Sequence, residues 1–387
     1  MARDDREPKN KFHRVSLEWV VNLLRNIYRL KIKGTTQLFP MLPSYNITHI
    51  CNLKCSYCGY IHQKFEEVDT ATVLEIISRI RPHNPALNIT GGEPLTRDDI
   101  VEIMKEVRRM GFAPVVLNTN SLLLPEKEEV LKYVDYIIVS LDSLNEEHWD
   151  KVLGVDGATR EVKKIVAHYA TRQDEFKFEL NVNCVITPDT LEDVPRVLDF
   201  CEQVGASFSP APQIDGTLPN VVLKESDKYR RLIKDLISFK KDKRPIISTI
   251  LFLEDILDFL PHKCYPTLVP KILPNGDVFY PCIKLKRIIG NLLEAPSLHY
   301  LMQEAFRKYP MPECDKGCHM TCYMEPTNYL EYPANMILEH HLRMRNRLPM
   351  EMLPTEEELA CFFADPEGIF FEKGGYDPND LIRPEKG

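Results

Sequence analysis

Short apolar runs alternate with longer amphipathic stretches from about residue 41 to 215. The runs at 44–50, 86–90, 114–118, 136–141, 177–186 and 207–211 read as strands. Between them, 70–80, 98–110, 127–133, 159–171 and 191–204 repeat apolar residues at helical spacing, and Gly111 and Gly205 stand where helices are commonly capped. Strand and helix alternating at this interval predict βαβ units and a parallel sheet. Six units make an α/β fold, a partial (β/α)6 TIM-like barrel rather than the eight-unit closed form. In such sheets the chemistry sits at the carboxyl ends of the strands.

The flanks differ. Residues 1–40 carry nine Lys/Arg against four Asp/Glu, and 16–30 read as an amphipathic helix with Ser16 as its N-cap. Leu17, Val20, Val21, Leu24, Ile27 and Tyr28 fall at helical spacing, with Arg14, Arg25 and Arg29 beside them. Two readings stand: a helix packed on the body of the protein, or a basic helix on an anionic membrane surface. Residues 216–260 form a helical connector with Leu232, Leu236, Leu251, Phe252, Leu257 and Leu260 as core candidates. A cysteine-rich region follows at 261–330, and 331–387 is a tail with a helix expected around 334–345.

Composition narrows the class. Hydrophobic residues make up 44% and charged residues 27% of 387, ordinary for a globular chain. A net charge of −8 argues against a nucleic-acid partner. The longest apolar runs fall far short of the ~20 residues of a membrane span, and the first dozen residues hold no apolar signal core. The expectation is a cytoplasmic protein, peripheral to the membrane if its first helix touches lipid.

Eleven cysteines change the picture. Without a secretory signal, clustered cysteines point to metal binding rather than disulfides. Cys184, Cys201 and Cys361 are scattered and read as small buried hydrophobes. Cys51, Cys55 and Cys58 stand at CxxxCxxC spacing directly after the first strand. A structural zinc site usually takes four ligands. Three thiolates in one loop suit a [4Fe–4S] cluster with one iron left open.

This loop, with Tyr57 just before the third cysteine, resembles the radical S-adenosylmethionine superfamily. The resemblance implies that Cys51, Cys55 and Cys58 hold the catalytic cluster. It also implies that the open iron chelates S-adenosylmethionine, whose reductive cleavage yields a 5′-deoxyadenosyl radical. A second signature, Gly91-Gly92-Glu93-Pro94, follows the second strand. In the superfamily this motif binds the amino group of the methionine moiety. Fainter signals end later strands: Asn118 and Asn120 after the third, Ser140 and Asp142 after the fourth, Asn183 in the fifth. The resemblance makes Tyr57, Asn118, Ser140, Asp142 and Asn183 cofactor-binding candidates, and polar strand ends satisfied by turns are the alternative.

Downstream stand Cys264, Cys282, Cys314, Cys318 and Cys322, with an Asn275-Gly276 turn before Cys282. The pattern is similar to the auxiliary-cluster domain called SPASM, or twitch when shortened. Cys282 comes one residue later than usual and the last run is CxxxCxxxC. Five cysteines supply one auxiliary [4Fe–4S] cluster rather than two, and a structural zinc site remains the alternative.

Residues 318–327 are similar to the cysteine region of adenosylhopane synthase, a lipid-acting family that also begins with a basic helix. That resemblance implies an isoprenoid or other membrane lipid as substrate, modified at an unactivated carbon, with carbon–carbon bond formation as the outcome. The competing reading is a peptide maturase acting on a ribosomally made peptide. A third is a non-catalytic electron carrier, which would need no Gly-Gly-Glu loop. An enzyme of this class implies an electron donor such as ferredoxin or flavodoxin.

Overall fold

The computed structural model describes residues 16–58, 67–311, 318–335 and 339; Arg14, Cys314, Cys361 and, of the helix expected at 334–345, all but residues 334, 335 and 339 lie outside them. A first helix, α1 (Leu17–Lys31), precedes six strands: β1 (Ser44–Asn46), β2 (Leu87–Thr90), β3 (Val115–Thr119), β4 (Tyr136–Ser140), β5 (Glu179–Ile186) and β6 (Ser207–Pro212). Between strands run α2 (Thr70–Ile80), α3 (Ile100–Arg109), α4 (Glu146–Leu153), α5 (Ala158–Thr171), α6 (Gln173–Phe176) and α7 (Val194–Val204). The six strands pair in sequence order, all parallel. This is the partial barrel that the alternation predicts. Sequential parallel pairing with right-handed crossovers sends the helices to one face of the sheet.

Side chains alternate accordingly. Tyr45, Leu87, Ile89, Val115, Leu117, Ile137, Val139, Leu180 and Val182 are fully buried in the main core. That core also takes Ile100, Ile103, Met104 and Val107, the inward face of α3. Gly111 and Gly205 adopt φ of 83° and 80°, the left-handed cap geometry expected of them.

Beyond β6 come a small hairpin, β7 (Ile214–Asp215) with β8 (Leu218–Pro219), then α8 (Val221–Lys224), α9 (Asp227–Lys241) and α10 (Ile250–Leu257). The cysteine-rich region supplies β9 (Lys271–Ile272), β10 (Asp277–Phe279), β11 (Ile288–Asn291), α11 (Leu298–Lys308) and α12 (Thr321–Glu331). Its three strands extend the same sheet. β9 pairs parallel with β1, and β10 runs antiparallel between β9 and β11, giving nine strands in all.

Three expectations need correction. Residues 127–133 do not form an α-helix: Pro125–Tyr133 is a run of 3-10 turns, broken where Lys127 leaves helical geometry at φ −120°. The first strand ends at Asn46 instead of residue 50. Leu260 is 50% exposed, because the chain turns at Phe259 (φ 48°), whose ring takes the buried place stacked on Tyr229. α4 had no counterpart in the sequence reading, although Asn145 caps it, Glu146 and Glu147 fill its first turn and Gly154 ends it.

Candidate functional site

The loop after β1 is built backbone on backbone. Ile47 N–H donates to Thr90 O (2.8 Å), Gly92 N–H to Thr48 O (2.9 Å) and Glu93 N–H to Ile50 O (2.7 Å). The Gly91-Gly92-Glu93 turn is thereby zipped against the four residues that lead into Cys51. Such an approach demands glycine. A Cβ on Gly92 would sit 2.2 Å from Ile50 O and 2.7 Å from His49 O, and one on Gly91 (φ +144°) 2.3 Å from Thr48 O.

Glu93 is the joint behind this turn. Its carboxylate is buried and accepts from Leu95 N–H (2.9 Å), Thr119 Oγ1–H (2.7 Å) and Asn120 N–H (2.6 Å). It ties the end of β3 to the turn after β2. Burial pushes its carboxyl up to about 7, with the three donors opposing. Asn120 in turn donates to Asn52 Oδ1 (2.7 Å) and points its Nδ2 at Cys51 Sγ (4.0 Å).

The cysteines lie at the carboxyl end of the sheet, where the fold places chemistry. All three are unpaired and half-buried. Cys58 N–H donates to Cys55 O (3.0 Å), closing a tight turn, and Leu53 N–H points at Cys51 Sγ (3.4 Å). α4 clamps the loop: Lys54 and Ser56 N–H donate to Leu153 and Val152 O, both at 2.9 Å. Leu53, Trp149, Leu153 and Ala158 form a small core against which Cys51 and Cys55 pack. Burial, then the neighbouring Cys58 and Cys51, push the Cys55 thiol up to about 11. Burial likewise raises that of Cys51. Thiolates so crowded are stabilised by a shared cation, so this donor set fits an iron–sulfur group.

Tyr57 joins the site to β4. Its ring stacks on Trp149 (centroids 6.1 Å) and its hydroxyl donates to Asp142 Oδ2 (3.2 Å). Asp142 also accepts from Val185 N–H (2.8 Å), and burial pushes its carboxyl up to about 7. Ser140 is exposed beside its register partner Asn183. Asn118 donates to Asn88, away from the cysteine loop, and Asn88 donates to Ser44 Oγ (3.1 Å). Lys271 Nζ donates to the same Ser44 Oγ (3.0 Å). With Asn181, which donates to Ser209 Oγ (2.8 Å), these residues give the helix-free face of the sheet a polar lining. Sequence reasoning overlooked Trp149 and Thr119, which stand in no motif, and Asn52, an unspecified position within the CxxxCxxC loop.

The second cysteine group gathers around α12. Cys264, Cys282 and Cys322 pack on one core with Leu268, Tyr323 and Leu330. Burial raises the Cys318 thiol, and Cys282 and Cys322 lie close enough to add to the rise. Tyr265 N–H donates to Thr327 Oγ1 (3.0 Å), holding the Cys264 loop on α12. Four of the five cysteines are thus brought together. Among the described residues, no three His, Cys, Asp or Glu side chains meet around a single-ion position. Thiolates of a four-iron cluster bind separate irons and need not do so.

Fold and site together define a parallel partial barrel that offers a thiolate loop at its catalytic end. The sequence profile described as Radical SAM superfamily matches residues 45–201, the stretch from β1 into α7. The superfamily's cofactors are S-adenosylmethionine and a [4Fe–4S] cluster. The chain is 32% identical over 168 residues to a probable GTP 3′,8-cyclase of Metallosphaera sedula, covering 41% of this chain and 51% of the relative. It is equally 32% identical to one of Methanococcus maripaludis, covering 42% and 55%. The chain therefore spans about half the length of these curated relatives. Its fold is similar to that of Streptococcus suis SuiB bound to the precursor peptide SuiA, with a TM-score of 0.56, 19% identity and coverage of 81% and 76%. It is also similar to anSMEcpe with bound AdoMet, with a TM-score of 0.53, 17% identity and coverage of 78% and 99%. Both are similarities of fold.

Proposed function

We propose that the protein is a radical S-adenosylmethionine enzyme whose Cys51, Cys55 and Cys58 hold the cluster that receives S-adenosylmethionine. The observation that carries this reading is the zipped pairing of residues 47–50 with 90–93, which sets a glycine turn beside a thiolate loop at the carboxyl end of a parallel sheet. Bound there, the cluster and S-adenosylmethionine supply a 5′-deoxyadenosyl radical, chemistry that side chains lack. The chain's own part is positioning. Gly91 and Gly92 leave backbone accessible at the turn, and Glu93 fixes that turn from behind through its three donors. Tyr57, held by Asp142 and Trp149, walls the loop on the β4 side. Ser140, at the end of β4, and its register partner Asn183, within β5, offer polar groups for the nucleoside. Four of Cys264, Cys282, Cys314, Cys318 and Cys322 hold one auxiliary cluster.

The substrate we favour is an isoprenoid or other membrane lipid, modified at an unactivated carbon, with carbon–carbon bond formation as the outcome. The exposed aliphatic residues on and just after α1, Leu17, Val20, Leu24 and Ile32, support this, because a lipid substrate has to be met at a bilayer. A peptide substrate is the second reading. The polar lining from Lys271 through Ser44, Asn88 and Asn118 favours it, as does the fold shared with a peptide-bound enzyme.

The test is anaerobic reconstitution of the full chain, with iron and sulfide counted for wild type and for Cys51→Ala/Cys55→Ala/Cys58→Ala. About eight irons falling to about four supports two clusters, and wild type alone should then release 5′-deoxyadenosine on reduction. Equal release from the variant would remove the assignment. Isoprenoid micelles and peptide mixtures, added separately, distinguish the substrates by which one accelerates that release.

A further inference from the structure

α1 is built the wrong way round for a helix that only meets water. Its inward side carries two asparagines as well as apolar groups. Asn22 Nδ2 donates to His83 O (2.7 Å), and Asn26 donates to Phe39 O (2.9 Å) while accepting from Phe39 N–H (3.0 Å). Trp19, Leu23, Ile27 and Leu30 complete that side, packed on Leu38, Met41, Leu268 and Tyr323. Trp19 Nε1–H donates to Met41 O (3.1 Å). The helix is thus firmly docked without its other apolar residues.

Those residues point out. Leu17 is 79% exposed, Leu24 59%, Tyr28 50% and Ile32 70%, with Val20 at 37%. At intervals of three and four they form one stripe. Arg25, Lys31 and Lys33 are exposed beside it; Lys33 Nζ lies 5.8 Å over the Tyr28 ring, and Lys31 reaches Glu331 at 2.7 Å. The acid on the helix, Glu18, is turned away to pair with Arg81 (2.9 Å). An aliphatic stripe bordered by cations, on a chain of net charge −8, is the arrangement that anionic lipid selects. Among the described residues no helix is long and apolar enough to cross a membrane, so contact through this face would be at the surface.

We propose that the outer face of α1, Leu17, Val20, Leu24, Tyr28 and Ile32 with Arg25 and Lys33, docks the protein on the surface of an anionic bilayer. The inference is independent of the cluster chemistry. The stripe enters the boundary between headgroups and acyl chains, the cations meet phosphates, and the inward face keeps the barrel attached.

The experiment is flotation of the full chain with vesicles of phosphatidylcholine alone or of equimolar phosphatidylcholine and phosphatidylglycerol. Wild type should float with the anionic vesicles and stay below with the neutral ones. Leu17→Ser/Leu24→Ser/Ile32→Ser should lower the floated fraction about tenfold, since all three side chains leave water on binding. Arg25→Glu/Lys33→Glu should remove the preference for phosphatidylglycerol. These positions are exposed, so melting midpoint and iron content should match wild type, which separates lost docking from lost folding. Equal flotation of the serine variant, or no flotation of wild type, overturns the proposal. So does a concentration-dependent dimer in sedimentation that the serine variant abolishes, because the stripe would then face a second copy.

Discussion

Replacing Gly92 by alanine tests the zipper that delivers the cysteine loop. Gly92 is not among the residues with positive φ, so the backbone itself tolerates a side chain. The obstacle is space: the new methyl would lie 2.2 Å from Ile50 O, 2.7 Å from Ile50 C and 2.7 Å from His49 O, all backbone atoms. No rotamer relieves a Cβ contact, so the turn must withdraw from residues 48–50. Withdrawal breaks Gly92 N–H to Thr48 O (2.9 Å) and Glu93 N–H to Ile50 O (2.7 Å). At about 1 kcal/mol net for each, and more where a buried donor stays unpaired, the expected loss is about 2–4 kcal/mol. Since Ile50 precedes Cys51, the loop should also retain less iron. The comparison is Gly34→Ala, where φ is +62° and nothing lies within 4 Å. That change pays only left-handed strain of about 1 kcal/mol and should keep full iron. Urea denaturation of both full-length variants, with iron counted after anaerobic reconstitution, reads the two effects. If Gly92→Ala unfolds at the wild-type midpoint with full iron, or Gly34→Ala proves the worse, the steric argument is wrong.

Three further outcomes follow from named contacts. Glu93→Ala strands the donors of Leu95, Thr119 and Asn120 and should cost about 3 kcal/mol in urea; with the turn unsupported, release of 5′-deoxyadenosine should fall at least about tenfold, as chromatography of the reduced enzyme would show. Lys240 is fully buried and pairs with Glu339 at 2.9 Å; Lys240→Met takes the cation from that carboxylate, which still accepts from Ile250 N–H (2.8 Å), and should cost about 3–5 kcal/mol by the same assay, partly recovered by adding Glu339→Leu, which strands the Ile250 donor. Burial lifts Asp142 to about 7, above the ordinary ~4 of its unfolded state. Its contribution to stability is therefore complete below about pH 4 and lost as pH rises to about 7. The melting midpoint should fall between pH 5 and pH 8, and Asp142→Asn should flatten part of that slope. Asparagine is tolerated there because its Oδ1 still accepts from Val185 N–H and the Tyr57 hydroxyl can turn to accept.

The six βα units were legible because each strand and helix carries its own periodicity, as in α3 with Ile100, Ile103, Met104 and Val107. The strands of the cysteine-rich region were not. β9 has two residues and β10 three, too few for alternation to show, and the place of β9 beside β1 depends on a partner more than two hundred residues away. Motifs exposed the cysteines and the glycine turn. They did not reveal what supports them, because Trp149 and Thr119 act through packing and single hydrogen bonds that any sequence offers in number. α1 illustrates a different limit. Periodicity located the helix and its capping Ser16, but it left open which apolar residues pack on the body and which face outward; burial is shared by Asn22 and Asn26 and withheld from Leu17 and Leu24.

The parallel pairing of β9 with β1 also has a consequence in time. Ser44 is bonded to Lys271 across 227 positions of chain. During synthesis at about 5–20 residues per second, β1 waits roughly 10 to 45 seconds after emerging before its neighbour exists. Throughout that interval one flank of the strand feeding the cysteine loop is an open sheet edge, able to recruit a stray strand from another nascent chain. The cysteine-rich region thus serves the barrel as a late-arriving edge cover. A chain stopped before residue 271 would keep its first cysteine loop and glycine turn, yet leave β1 permanently open to aggregation.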